Sequence, residues 1–133
     1  MNARCQTKGI RILVVDEDYD LVHSLARLLR FNGFLVDEAT AGVEAVNLAR
    51  EHCPRLVLLE YSLHDLSGME ACDRIQETCP RATLILTVAT ENEFLEVRES
   101  GLPAFRKPFE LAELLPTLDA LADDGDNQLH LPS

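Results

Sequence analysis

Glu60 closes a run of apolar residues, Leu56-Val57-Leu58-Leu59. Pro54 precedes the run and the turn-rich stretch Ser62 to Gly68 follows it, so it reads as a buried strand. A second run, Ile12-Leu13-Val14-Val15, ends in Asp16-Glu17-Asp18, and a third, Leu84-Ile85-Leu86, ends in Thr87. A short segment through Phe105 ends in Lys107, immediately before Pro108. Ligands of open α/β sheets bind outside the carboxyl ends of the strands. The pattern therefore predicts that an acid pair, a further acid, a hydroxyl and a lysine converge on one sheet edge. Such a set can hold a divalent metal beside a phosphoryl group. Three crowded carboxylates raise one another's pKa unless a cation lies among them. That cation is either Lys107 alone or a magnesium ion on Asp16, Glu17 and Glu60. Glu17 and Glu60 are long and flexible, whereas Mg²⁺ asks for tight octahedral geometry, so such a metal would be weakly held.

Strand and helix patterns alternate between these residues, which predicts an α/β fold with a parallel sheet. Strands are expected at 11–16, 34–38, 55–60, 82–88 and 104–107. Leu21, Leu25, Leu28 and Leu29 mark a first helix, capped by Asp18 or Asp20 and stopped at Gly33. A second helix spans 42–52, with Val43, Val46 and Ala49 inward. A third carries Met69, Cys72 and Ile75 and ends before Pro80. A fourth spans 91–100. Leu111, Leu114, Leu115, Leu118 and Leu121 mark a fifth, which Pro116 is expected to kink or break. Right-handed crossovers then favour a doubly wound, flavodoxin-like sheet of five parallel strands in the order 2-1-3-4-5, with five helices.

A chain of 133 residues is long enough for one full core, and a net charge of −11 opposes non-specific nucleic-acid binding and favours basic partners. No apolar run approaches the ~20 residues of a membrane span, and the first residues form no signal peptide, so a cytoplasmic protein without membrane contact is expected. Cys5, Cys53, Cys72 and Cys79 lack C-x-x-C spacing and are expected to be reduced thiols, with Cys72 and Cys79 packed on helices. His64 reads as a solvated loop residue. The domain is expected at 10–122, between a flexible segment at 1–9 and an acidic tail at 123–133.

With Asp16-Glu17, Glu60, Gly68, Thr87 and Lys107-Pro108-Phe109 in this order, residues 10 to 122 resemble a receiver domain of the two-component response regulators. The resemblance implies that Asp16 and Glu17 match the acids that hold Mg²⁺. Glu60 matches the aspartate that accepts phosphate from a histidine kinase. Thr87 and Lys107 match the residues that grip the phosphoryl oxygens, and the Lys107–Pro108 bond is expected to be cis. A receiver is not an enzyme; its partners are a histidine kinase or a downstream signalling protein, and it is a monomer or a homodimer. The chain departs from the pattern at Glu60, at His64, at Val88 after Thr87, in a shortened stretch before Lys107, and at Ala104, where an aromatic switch residue is usual and neighbouring Phe105 could serve. The extra methylene of Glu60 carries its carboxylate about 1.5 Å further, toward Lys107 and Thr87. An atypical, phosphorylation-independent receiver acting through protein contacts is therefore expected. The alternatives are a receiver that accepts phosphate on a non-standard residue, and a haloacid-dehalogenase-like phosphohydrolase built on Asp16, Asp18, Thr87 and Lys107, with Asp124-Gly125-Asp126 as its last acidic motif.

Overall fold

The apolar runs form strands because both of their faces find cover. In the computed structural model, which describes residues 9–127 and side chains as far as Asp123, the order is β1 (Arg11–Val15), α1 (Tyr19–Phe31), β2 (Leu35–Ala39), α2 (Gly42–His52), β3 (Leu56–Glu60), α3 (Gly68–Thr78), β4 (Thr83–Val88), α4 (Glu91–Glu99), β5 (Ala104–Arg106) and α5 (Leu111–Asn127). The strands pair in parallel in the order β2-β1-β3-β4-β5, as expected. Leu13, Val15, Val57, Leu59, Leu84 and Leu86 face one way and pack with α2, α3 and Val97 of α4. Ile12, Val14, Leu56, Leu58 and Ile85 face the other way, against α1 and α5. This two-sided burial is what continuous apolar runs in parallel sheets require.

Local chemistry sets the helix ends. The Asp18 carboxylate accepts the Leu21 N–H at 3.2 Å, and Ser67 and Thr90 cap α3 and α4 in the same way. Gly33, at φ 98°, takes the left-handed turn that lets the chain leave α1 for β2. Ala41 has no capping side chain. Asp65, from the loop after β3, supplies the cap to α2, accepting the Gly42 N–H at 2.8 Å and the Val43 N–H at 3.0 Å. Those two hydrogen bonds hold the Asp65 carboxyl below its ordinary pKa.

Four expectations need correction. Val43 is 49% exposed rather than inward, because the buried stripe of α2 runs through Gly42, Ala45, Val46 and Ala49. Pro116 does not break the last helix, which runs from Leu111 to Asn127. The ring is exposed, and the carbonyl it leaves unbonded belongs to exposed Ala112, while the buried stripe Leu114, Leu118 and Ala122 passes on the other side. The helix also runs past the expected boundary at 122; the flanks 1–8 and 128–133 lie outside the described residues. Finally, Cys53 and Cys79 are not reduced thiols but a disulfide, with Cα atoms 5.4 Å apart. Cys72 alone is a free thiol among the described residues, and burial pushes it up to about 12. The disulfide removes the thiol-based argument for a reducing compartment. Among the described residues, no helix is long and apolar enough to cross a membrane.

Candidate functional site

Parallel register brings the chemistry together. Val15 pairs with Leu59 and Glu60 with Thr87, so β1, β3 and β4 end level with one another. Lys107 follows β5 directly, and its N–H donates to the Val88 carbonyl at 2.8 Å, which fixes where its side chain starts. The Lys107–Pro108 peptide is cis. Lys107 Nζ lies 2.8 Å from Asp16 Oδ2 and 3.3 Å from Glu60 Oε2. The remaining oxygens are held by backbone: Asp16 Oδ1 accepts the Asp18 N–H at 2.9 Å, and Glu60 Oε1 accepts the Glu17 N–H at 3.0 Å.

The electrostatics follow from this packing. Asp16 is only 5% exposed, and its carboxyl group is paired with Lys107 and with the Asp18 N–H. Burial raises the pKa of Glu60; the hydrogen bond from Glu17 opposes this, Asp16 adds to it and Lys107 opposes it, and the net shift is upward. Burial works against the charge of Lys107, but its contacts with Asp16 and Glu60 outweigh that and hold its pKa above the ordinary lysine value. Thr87 is 4% exposed, and its Oγ1 is buried without a hydrogen-bond partner among the described residues. An orphaned hydroxyl costs free energy. It stands opposite Glu60 in the parallel register.

Three of the expected acids do not assemble as a ligand set. Glu17 turns away from Glu60: its Oε2 accepts the His64 N–H and lies 2.7 Å from His64 Nδ1. His64 is thus a partner of Glu17 and not merely solvated. Among the described residues, no three His, Cys, Asp or Glu side chains are placed to hold a metal ion. Lys107 is the cation that lies among the acids.

The loop after Glu60 contributes residues that sequence patterning missed. Tyr61 Oη donates to Glu96 Oε1 on α4 at 2.5 Å, which pushes its pKa up to about 12, and Ser62 reaches Glu93 at 3.4 Å. With His64 on Glu17 and Asp65 on α2, this loop is tied to two helices, α2 and α4, and to the loop between β1 and α1. The one available signal was position, since all four residues follow Glu60 directly. Ala104 and Phe105 lie on opposite faces of the sheet: Ala104 packs with the α2–α4 side, and Phe105 with the α1–α5 side near Phe109.

Comparison with known proteins agrees with this architecture. Residues 12–119 match the family model of the response regulator receiver domain. The response regulator MprA of Mycobacterium sp. strain KMS is 38% identical over 117 residues, which cover 84% of this chain and 50% of that protein. MprA of Mycobacterium tuberculosis strain H37Rv is 37% identical over 118 residues, covering 85% and 50%. The chain therefore spans about half the length of the curated relatives it matches. A CheY-like receiver domain protein from Methanospirillum hungatei JF-1 superposes with a TM-score of 0.83 at 22% identity, covering 91% of this chain and 99% of that one. The non-phosphorylated HemR receiver domain of Leptospira biflexa gives a TM-score of 0.76 at 29% identity, covering 86% and 94%. These matches overturn the phosphohydrolase reading. Its last acidic motif, Asp124 to Asp126, falls within the backbone of α5 rather than after a strand. Receiver domains generally bind Mg²⁺, but the acids as arranged here do not fit it, with Asp16 and Glu60 turned on Lys107 and Glu17 on His64.

Proposed function

The chain belongs to the response regulator receiver domain family, and from that membership we propose that it signals through protein contacts in a conformation set without phosphorylation. The supporting observation is the Glu60 carboxylate, which reaches Lys107 from the place where the family presents its phosphoacceptor. A carboxylate there imitates part of a phosphoryl group, with one charge and two oxygens against roughly −2 and three. The ties from Tyr61, His64 and Asp65 hold the adjoining loop in one arrangement. Asp16, Glu60, Thr87 and Lys107 are the site, and Lys107 replaces a metal as the counter-charge. The module acts by binding, not by turning over a substrate. Its partner is a histidine kinase or a downstream signalling protein that reads α4 and β5; nucleic acid is not bound by this domain.

The orphaned Thr87 hydroxyl favours a second reading, in which the pocket still receives a phosphoryl group on Glu60. Incubation with a small acyl phosphate and Mg²⁺, read by intact mass, separates the two. The wild type is expected to gain nothing, and Glu60→Asp to gain one phosphoryl group. A phosphorylated wild type refutes the first reading. Contact through α4 is tested at Arg98, an exposed residue over the Phe94 ring, rather than at Glu93, whose carboxylate accepts the Ala89 N–H at the start of the helix. Arg98→Glu should weaken partner binding, and phosphodonor should leave wild-type binding unchanged.

A further inference from the structure

The edge of the sheet opposite Glu60 carries chemistry of its own. Two Cys-Pro pairs, Cys53-Pro54 and Cys79-Pro80, stand 26 residues apart. Each ends a helix, α2 or α3, and each leads into a strand, β3 or β4. These are the neighbouring strands that present Glu60 and Thr87 at their far ends, roughly 16 Å away along a five-residue strand. The disulfide therefore joins the roots of the two strands that carry the site.

We propose that the Cys53–Cys79 pair is a thiol–disulfide exchange site, taking a small anionic thiol as reductant, that sets how tightly the roots of β3 and β4 are held together. Its two halves differ. Cys79 is 4% exposed, although both cysteines end their helices with the same N–H bond, Cys53 to Ala49 and Cys79 to Ile75, each at 2.7 Å. Cys53 is exposed and has a left-handed backbone at φ 43°, which a residue with a Cβ adopts only at a cost. A cavity of about 280 Å³ opens beside the pair, between Pro54, Thr78 and Pro80; Arg81 lines it, as does Arg55, whose guanidinium donates to the Ala122 carbonyl at 2.8 Å. On a chain of net charge −11, the Arg81 guanidinium at this hollow attracts an anionic thiolate to the exposed sulfur.

The exchange balances as follows. A thiolate attacks Cys53 Sγ, forms a mixed disulfide there and expels Cys79 as a thiolate, which takes up a proton. A second thiolate attacks the outer sulfur of the mixed disulfide, forms the oxidised reductant and releases Cys53, which is protonated in turn. Two electrons pass from two small thiols to the pair, and the reverse sequence restores the bond.

Reduced glutathione is the probe, applied to the native full chain, with reaction followed by intact mass and the thiols assigned by alkylation and peptide mapping. Native protein purified in air should carry the bond, and millimolar glutathione should open it without denaturant. Oxidised glutathione should close it again. Hydrogen exchange should rise at 52–55 and 79–83 on reduction, and the Cys53→Ser/Cys79→Ser variant should show the same rise without any thiol. Arg81→Glu should slow reduction by glutathione about threefold or more and leave reduction by an uncharged dithiol unchanged. A bond that opens only in denaturant would make the pair a permanent staple and overturn the proposal. So would two native thiols that never pair, unchanged exchange at the strand roots, or equal slowing of both reductants by Arg81→Glu.

Discussion

Replacing Gly68 by alanine should strain the site from behind. A Cβ on Gly68 would lie 2.4 Å from the Glu60 carbonyl oxygen, 2.8 Å from Tyr61 Cα and 2.9 Å from the Tyr61 carbonyl oxygen. Carbon contacts are comfortable at about 3.5 Å, so the closest overlap is about 1 Å. All three neighbours are backbone, so no side-chain rotation relieves it. The helix cannot slide away freely either, because the Gly68 N–H donates to the Tyr61 carbonyl at 2.8 Å. Overpacking of this kind costs about 1–3 kcal/mol, and three backbone contacts place it at the upper end. Alanine regains up to about 1 kcal/mol as a better helix former than glycine. A net loss of about 2 kcal/mol should lower Tm by roughly 8 °C in a domain of this size. Denaturant unfolding should give the same loss in the midpoint with an unchanged slope. Gly42→Ala is the comparison. Its Cβ would meet Leu66 Cβ at 2.8 Å and the Asp65 carboxylate and Leu66 carbonyl at 3.3 Å, so a single contact, to a side chain, falls below 3.0 Å where Gly68 has three to backbone. It should cost about half as much. A Gly68→Ala protein that melts within about 2 °C of wild type, or above Gly42→Ala, refutes the reasoning.

The raised pKa of Glu60 carries a signed prediction. The folded state holds this proton more tightly than the unfolded chain, so the stability from Glu60 is present below pH 4.5 and lost as pH rises through its folded value. Glu60→Gln should therefore gain stability relative to wild type across that window in denaturant titrations; a variant that loses ground with rising pH contradicts the assignment. Cys72 is 1% exposed with its thiol pushed up to about 12, so it should resist alkylation at pH 8 in native protein and react at once in denaturant. Rapid native labelling at Cys72 would show that α3 opens far more readily than its packing implies.

What the chain discloses in advance divides by sequence distance. The strand runs are legible because both faces of a parallel sheet must be apolar, and the positions of Asp16, Glu60, Thr87 and Lys107 follow from where those runs stop. Val43 misled because a β-branched residue in the first turn of α2 fits the helical period while pointing off the core. Pro116 misled because the rule counts the missing hydrogen bond and not the side of the helix on which it is missing. The links from Glu17 to His64, from Asp65 to α2 and from Tyr61 to Glu96 join loop side chains without any period, so no pattern announces them. The disulfide is different, because it could have been found. Once the order 2-1-3-4-5 is accepted, strands three and four are neighbours ~4.8 Å apart, and a cysteine lies a few residues before each. That separation lies within the Cα range a disulfide needs. Absence of C-x-x-C spacing argues only against local pairing.

The geometry around Glu60 bears on whether a switch survives there. Moving a two-state protein from about 1:99 to 99:1 takes roughly 5.5 kcal/mol of differential affinity for the two states. A phosphoryl group supplies such a bias by arriving and leaving. On the proposed reading, the Glu60 side chain is part of every molecule, so it would bias the equilibrium without reporting an input. The ties around it act in the same direction. Tyr61 fastens the loop to α4, His64 fastens it to Glu17 in the loop after β1, and Asp65 fastens it to α2. A rearrangement of α4 would have to break the first of these, and the Glu96 carboxylate would then lose the Tyr61 hydroxyl. On that same reading, a receiver built this way holds one face in place for a partner. Tyr61→Phe, which removes the tie and leaves Glu60 untouched, should loosen α4 in hydrogen exchange; an α4 that stays as protected as in wild type would show that the loop does not hold it.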